Sequence, residues 1–242
     1  MARATKQYEI IRAIPTFLER DLLKVTHNGM TLEVSYPAFG TNTYANNIAE
    51  MEKQYHHLDD IISFRPATIS ESISIAKYGF GEKGEYDAKR DIFDLGYLQA
   101  GKIVITQDGV FTNTEITDKK ELKKMLDGVK KVNGIYLIND KVGFAPNETF
   151  SLGIGVQYAG DFLRSGLARV LEHTDKNKAK NLKQIIKSYS FGVDVGGFKS
   201  VEPVSKVIAL YRDTNLWAFA GLTVRGNVPY DHNGGFAFGV KK

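Results

Sequence analysis

Residues 96–103 read Gly-Tyr-Leu-Gln-Ala-Gly-Lys-Ile, one position short of a phosphate-binding loop. Such a loop needs Ser or Thr directly after its lysine to ligand Mg²⁺, an apolar strand before it and a helix after it. Here Ile103 follows Lys102, residues 89–94 are mostly charged, and a β-branched stretch comes next. Nucleotide phosphate is not expected to bind there. His56 and His57, followed by Asp59 and Asp60, are metal-ligand types. On a helix, adjacent histidines project about 100° apart. His57 and Asp60 together make only half of a zinc site. These four residues read as the polar end of a helix. His173 is expected to close another, where a positive imidazole complements the helix dipole. Gly153 and Gly155 lack the third glycine of a dinucleotide fingerprint, and no Gly-x-Ser-x-Gly elbow occurs. Cysteine is absent, which removes thiol nucleophiles, thiolate zinc sites and disulfides together. The expectation is a chain with no catalytic residues, no metal and no cofactor.

The bulk numbers narrow the class. A chain of 242 residues suits one large domain, and at that size folding buries roughly 70–75% of the unfolded surface without a covalent staple. Glu9, Arg12 and Glu19 interrupt the apolar stretch near the start, so no signal peptide is expected. No run approaches the roughly 20 apolar residues of a membrane span, and a cytoplasmic location follows as the expectation. Lys plus Arg number 32 against 28 for Asp plus Glu, a net charge of +4. A nucleic-acid binder gathers such an excess on one face. The densest basic run, from Lys176 to Lys183, instead fits the solvated side of an amphipathic helix. Neither a membrane nor nucleic acid is the expected partner.

Patterning gives the elements. Residues 30–36 (MTLEVSY) alternate with period two after an Asn28-Gly29 turn, which predicts a half-buried strand. Tyr44, Ile48, Met51 and Tyr55 recur at helical spacing and predict a helix over 41–55. Thr68 and Glu71 have capping-box spacing, so a helix is expected over 68–77. Residues 78–94 turn to Gly, Lys, Asp and Glu and read as an exposed loop. Strands at 102–106 and 110–113 flank Asp108-Gly109, a hairpin signature. A charged helix over 118–132, capped by Thr117 or Asp118, precedes a short inner strand at 134–139. Helices over 161–173 and 176–189 form a hairpin about Thr174-Asp175. Strand-like runs then follow at 191–198, 206–212, 216–225 and 236–240. Helices first and strands last predict an α+β fold with antiparallel strands at the C-terminus and several flanking helices.

The tail, residues 206–242, is dense in aromatics, amides and small residues, the palette of recognition loops. Asn, Asp, Gly and Pro also simply make turns. The order strand-Arg-x₄-Trp, a polar glycine-bearing stretch and a terminal Gly-Phe-x-Phe-Gly-Val resembles the end of C-type-lectin-like domains of the formylglycine-generating-enzyme branch. More narrowly it is similar to the variable proteins of diversity-generating retroelements of archaeal type. Trp217 is followed by Ala-Phe-Ala where that branch carries a polar run, and the lack of cysteine excludes formylglycine-type oxidation.

The resemblance implies a single C-type-lectin-like domain over 1–242, with 205–242 as a variable, ligand-binding region. In that family, reverse transcription rewrites adenines of asparagine codons in a C-terminal region. The stretch Asn227 to Asn233 consists of residues reachable from such codons, whereas Trp217 is not reachable and reads as scaffold. Substitutable positions must be exposed and backed by a rigid frame. Val207, Ala209, Trp217, Phe236, Phe238 and Val240 are the expected frame, the last three sharing one strand face. Tyr211, Asn215, Phe219, Arg225, Asn227, Tyr230, Asp231, His232 and Asn233 are the expected ligand-binding surface, and the partner is an unidentified protein or surface ligand. Two other classes stay open: a hydrolase-like enzyme whose Asp and His residues meet on folding, and a viral or structural assembly protein.

Overall fold

The computed structural model describes residues 18–80, 97–151, 155–187, 192–213, 221–229, 231 and 234–242. The chain enters through β1 (Leu18–Glu19), β2 (Asp21–His27) and β3 (Met30–Tyr36). Asn28 and Gly29 take φ of 48° and 82°, the tight-turn geometry whose twist matches that of the strands it joins. Alternation in β3 places Leu32 and Val34 inside. Next come β4 (Phe39–Asn42), α1 (Tyr44–Met51), β5 (Tyr55–His57), β6 (Asp60–Ile62) and β7 (Phe64–Pro66).

The helix expected over 41–55 is therefore only its middle. Thr43 caps it by accepting the N–H of Asn46 at 3.1 Å. At the other end Tyr55 leaves for a strand while its hydroxyl donates to the Glu50 carbonyl at 2.7 Å. Tyr44, Met51 and Tyr55 still bury in one cluster with Phe39 and Phe64, so the apolar period outlasts the helix. His56, His57 and Asp60 consequently sit on a β-hairpin that turns at Leu58 and Asp59, not on a helix end. Neighbours on a strand point to opposite faces, so the two histidines diverge. His57 Nδ1 donates to the Arg20 carbonyl at 3.0 Å.

In α2 (Ile69–Phe80) the capping box closes as its spacing predicted. Glu71 Oε2 accepts the Thr68 N–H at 2.8 Å, and Thr68 Oγ1 accepts the Glu71 N–H at 3.3 Å. The helix outruns its expected end by a turn, and the rest of the loop expected to 94 lies outside the described residues. The hairpin of β8 (Tyr97–Ile105) and β9 (Gly109–Thr112) turns at Gln107-Asp108, one residue earlier than the Asp108-Gly109 pair suggested, and Thr106 Oγ1 accepts the N–H groups of Asp108 and Gly109. Helix α3 (Lys119–Leu126) is capped by Asp118 and ends well short of residue 132, because Asp127 turns extended and Gly128 takes φ 74°. The pair β10 (Lys131–Val132) and β11 (Ile135–Leu137) turns at Asn133-Gly134, and β12 (Gly143–Pro146) follows. The expected inner strand at 134–139 is thus shorter.

After β13 (Gly155–Tyr158), the helix expected over 161–173 is two, α4 (Ala159–Arg164) and α5 (Gly166–Leu171). Ser165, extended at ψ 154°, breaks it and caps α5 through the Ala168 N–H. His173 closes α5 as expected, at φ 51° with its N–H on the Val170 carbonyl and the Thr174 N–H on the Arg169 carbonyl, but burial lowers its pKa and so works against the positive charge expected there. Helix α6 (Lys180–Lys187) starts at 180 rather than 176. There the Glu172 carboxylate accepts the N–H of Lys180 at 2.9 Å and of Leu182 at 2.5 Å. The chain closes through β14 (Gly192–Gly196), β15 (Val204–Asp213), β16 (Gly221–Val228), β17 (Gly235–Ala237) and β18 (Gly239–Lys241).

The main sheet runs β10-β11-β12-β9-β8-β15-β16-β14-β13, with β17 joined to β8 and β4. Its β14–β16 and β17–β8 pairs are parallel and the rest antiparallel. A second, antiparallel sheet runs β2-β3-β18-β7, and a small third one β1-β5-β6. Helix α2 packs against both β2 and β8, and the largest core cluster joins Leu23, Val34, Ile73, Leu98, Ile208 and Val240. A separate cluster gathers Val207 and Ala237 with α1 and β4 residues. The architecture is mixed α+β and mostly antiparallel, as expected, but strands occur throughout the described residues rather than after the helices. Phe236, Phe238 and Val240 are buried, yet not on one strand: the segment leaves the main sheet at Ala237 and enters the second at Gly239.

Candidate functional site

Leu98, Ile208, Leu210, Leu222 and Val224 project from β8, β15 and β16 into the main core. The alternate residues therefore face the other way. Register sets Tyr211 beside Thr223 and Ala209 beside Arg225, and continues the rows onto β14 at Asp194 and Gly196. On this outer face Tyr97, Ala209, Tyr211, Arg225, Asn227, Val228 and Pro229 line a cleft of about 380 Å³. The pairing slips between Val207 and Ala209 against β16, and between Ile208 and Ala209 against β8. Such irregularities re-aim side chains, here at the cleft.

Two glycines fix the cleft's polar side chains. Arg225 lies across Gly196, where a Cβ would come 2.2 Å from Nη1. From there Nη2 donates to Asp194 Oδ2 at 2.5 Å. Asp194 is buried and Arg225 half-buried, so the guanidinium is held and its charge matched. Asn227 packs on Gly197 in the same manner: a Cβ there would lie 2.4 Å from Oδ1, and Gly197 also takes φ 79°. Beside the cleft, Gln99 Oε1 accepts from Asn47 Nδ2 at 2.7 Å, and Asn47 Nδ2 also donates to the Gly235 carbonyl at 3.0 Å. This buried amide network ties β8 to α1 and to the start of β17. Burial pushes the Tyr97 hydroxyl above its ordinary pKa, against an opposing hydrogen bond with Gln99. Thr223, fully buried on the same face, has a hydroxyl with no hydrogen-bond partner among the described residues.

Tyrosine rings, a fixed guanidinium and an amide can hold a ligand by stacking and hydrogen bonding. Of the nine residues expected at the surface, Tyr211, Arg225 and Asn227 meet in the cleft, and Asp231 is exposed. Asn215, Phe219, Tyr230, His232 and Asn233 lie outside the described residues, as does Trp217. The frame residues Val207 and Ala209 are fully buried. Reading the tail alone missed Tyr97, Asp194 and the pair Gly196-Gly197. The single carboxylate in the apolar run Gly192–Gly196, with a double glycine at its end, was the available signal for three of them.

Two other places in the molecule bear on chemistry. A hollow of about 420 Å³ beneath α3 has a floor that includes Phe111, Leu122 and Phe144, and none of the described residues of the 205–242 tail lines it. His27 and Ser74 approach to 2.9 Å between Nδ1 and Oγ in a buried contact. Asn28 Nδ2 lies 3.2 Å from His27 Nε2 and can only donate. That leaves the ring proton on Nδ1, pointing at Ser74, opposite to the arrangement in which a histidine takes a serine proton. Among the described residues no three His, Asp or Glu side chains come together as a metal site, and no helix is long and apolar enough to cross a membrane. Compared with protein-family models, with curated proteins and with solved structures, the chain matches none of them.

Proposed function

We propose that this chain is a non-catalytic ligand-binding protein that presents the outer face of its C-terminal strands to an unidentified partner. Its scaffold is of the C-type-lectin kind, and its tail is a diversified recognition region. One observation carries this reading. Tyr211, Arg225 and Asn227, distant along the tail, meet in one cleft with Tyr97 on strands whose reverse side is core. Substitutions at the exposed positions of such a face cost little stability, because the frame beneath keeps its packing, whereas the buried Asp194, Ala209 and Thr223 belong to that frame. The fit of Arg225 and Asn227 to glycines separates two kinds of position. Those two side chains are supported contacts, whereas Tyr211 and exposed Asp231 are the freer ones.

Sequencing many copies of the coding locus tests the diversification. Substitutions clustered in codons 205–235 beside a silent upstream region support it, and uniform drift overturns it. Binding is tested by probing peptide and glycan arrays with the intact chain and with Tyr211→Ala and Arg225→Ala. The reading expects every hit to weaken at least tenfold in one variant or the other, which is about 1.4 kcal/mol. Hits that survive both substitutions place recognition elsewhere.

A further inference from the structure

Among the described residues, most strand edges are guarded, and that of β13 is the barest. An edge strand offers unpaired N–H and C=O groups to any extended chain, and native proteins blunt that hazard with charge, proline or cover. Most edges here follow the rule. Lys131 lies in β10, Lys24 in β2, Arg65 and Pro66 in β7, and Asp60 in β6. At β4 the guanidinium of Arg20 sits 4.0 Å over the Phe39 ring.

The edge formed by β13 differs. Its four residues Gly155, Val156, Gln157 and Tyr158 carry no charge and no proline, and neither do Ala159 and Gly160 after them. Its inner side pairs with β14, and among the described residues nothing pairs with its outer side. Val156 is 50% exposed and Tyr158 82%, two of the six exposed large apolar side chains among the described residues. Both project to the same face, that of Asp194, with which Val156 is in register.

We infer that β13 is the contact edge of a symmetric dimer, pairing antiparallel with β13 of a second copy. The chain carries a net charge of +4, so two copies repel over most of their surfaces. This neutral edge brings no like charges together, and isologous pairing gives Val156 and Tyr158 cross-strand neighbours on both copies at once. With the two-fold axis perpendicular to the sheet, the main sheet continues from one copy into the next. The outer faces of both then point the same way. Three strand steps separate β13 from β15 in each copy and one more crosses the junction, so at about 4.8 Å per step the two β15 strands sit roughly 34 Å apart on one surface. That last consequence, a bivalent surface, rests on the proposed function, but the dimer does not.

Light scattering on the intact chain measures the dimer directly. The expected mass is twice 27.0 kDa at high concentration, returning to 27.0 kDa on dilution. Val156→Lys and Tyr158→Lys place a cation on the edge, and each is expected to give the monomer mass with an unchanged melting temperature. Because the chain has no cysteine, Val156→Cys carries the sole thiol. It is expected to form a disulfide-linked dimer on mild oxidation faster than Lys130→Cys, whose exposed site adjoins β10 at the opposite edge of the sheet. A wild-type chain that stays monomeric up to its solubility limit overturns the inference. So does a dimer that survives both lysine substitutions, or cross-linking no faster at Val156 than at Lys130. None of these results depends on whether the cleft binds anything, so a failure of the binding reading leaves this test intact.

Discussion

Arg225 donates to Asp194 at 2.5 Å across the parallel pairing of β16 and β14, and it does so lying flat over Gly196. The three residues form one unit: a buried carboxylate, a half-buried cation and the space that lets them meet. Asp194→Ala leaves the guanidinium without its partner and is expected to cost about 2 kcal/mol. A lowered urea midpoint at unchanged slope checks it. Gly196→Ala puts a methyl 2.2 Å from Nη1 and is expected to push the guanidinium off Asp194, costing at most what Asp194→Ala costs. It should also weaken any ligand that Arg225→Ala weakens.

Two buried glutamates should respond to pH with opposite sign. Burial pushes the Glu71 carboxyl up, but hydrogen bonds from Arg65 and from the Thr68 backbone outweigh it and hold the group below its ordinary value. Its contribution is therefore complete above the ordinary carboxyl range, and it is lost as pH falls below that range. At Glu172 burial dominates the backbone hydrogen bonds from Leu182, Asn181 and Lys180, and the carboxyl is pushed up. That contribution is present below the ordinary range and is lost as pH rises through the raised value. Urea unfolding across the acid and neutral range reads both. The stability gap between wild type and Glu71→Gln should widen with rising pH, and the gap to Glu172→Gln should narrow.

His27 packs against α2 with Nδ1 on Ser74, and burial depresses its pKa below the ordinary histidine value. His173 is depressed for the same reason, against an opposing backbone hydrogen bond with Asn139. A histidine kept neutral by the fold gives stability that is present above its ordinary pKa and lost as pH falls through the depressed one. Thermal melts should therefore drop as pH falls from neutral through the histidine range. The drop should be smaller in His27→Gln and smallest when His173→Gln is added.

Gly166 follows the break at Ser165 and starts α5 against Thr149. A Cβ there would lie 1.9 Å from Thr149 Oγ1 and 2.5 Å from its Cβ. Gly166→Ala, which would favour a helix in isolation, is expected instead to destabilise by about 1–3 kcal/mol through overpacking. Calorimetry should show a lower melting temperature. An unchanged or higher value would mean that the α4–α5 junction yields easily.

Local chemistry in the chain set the turns and caps. Asn28-Gly29 chose its hairpin because few other residues accept its positive φ, and Thr68 with Glu71 started α2 through two short-range hydrogen bonds, whereas the hairpin at 106–109 closes through Thr106 Oγ1 and Gly109 serves there by its close approach to Ala145. The alternation of 30–36 fixed which side of β3 is buried for the same reason, since it depends on neighbours two apart. Tertiary contacts decided the rest. Tyr55 kept helical spacing yet became a strand, because the aromatic cluster with Phe39 and Phe64 needed only its ring. The closing segment split between two sheets, Gly235–Ala237 against β4 and β8 and Gly239–Lys241 against β3 and β7, where its own alternation predicts one strand. Above all, no pattern within the tail could bring Tyr97 and Asp194 to Tyr211 and Arg225. Their meeting follows from strand order, which is set by how distant apolar faces bury one another and not by any local run of residues.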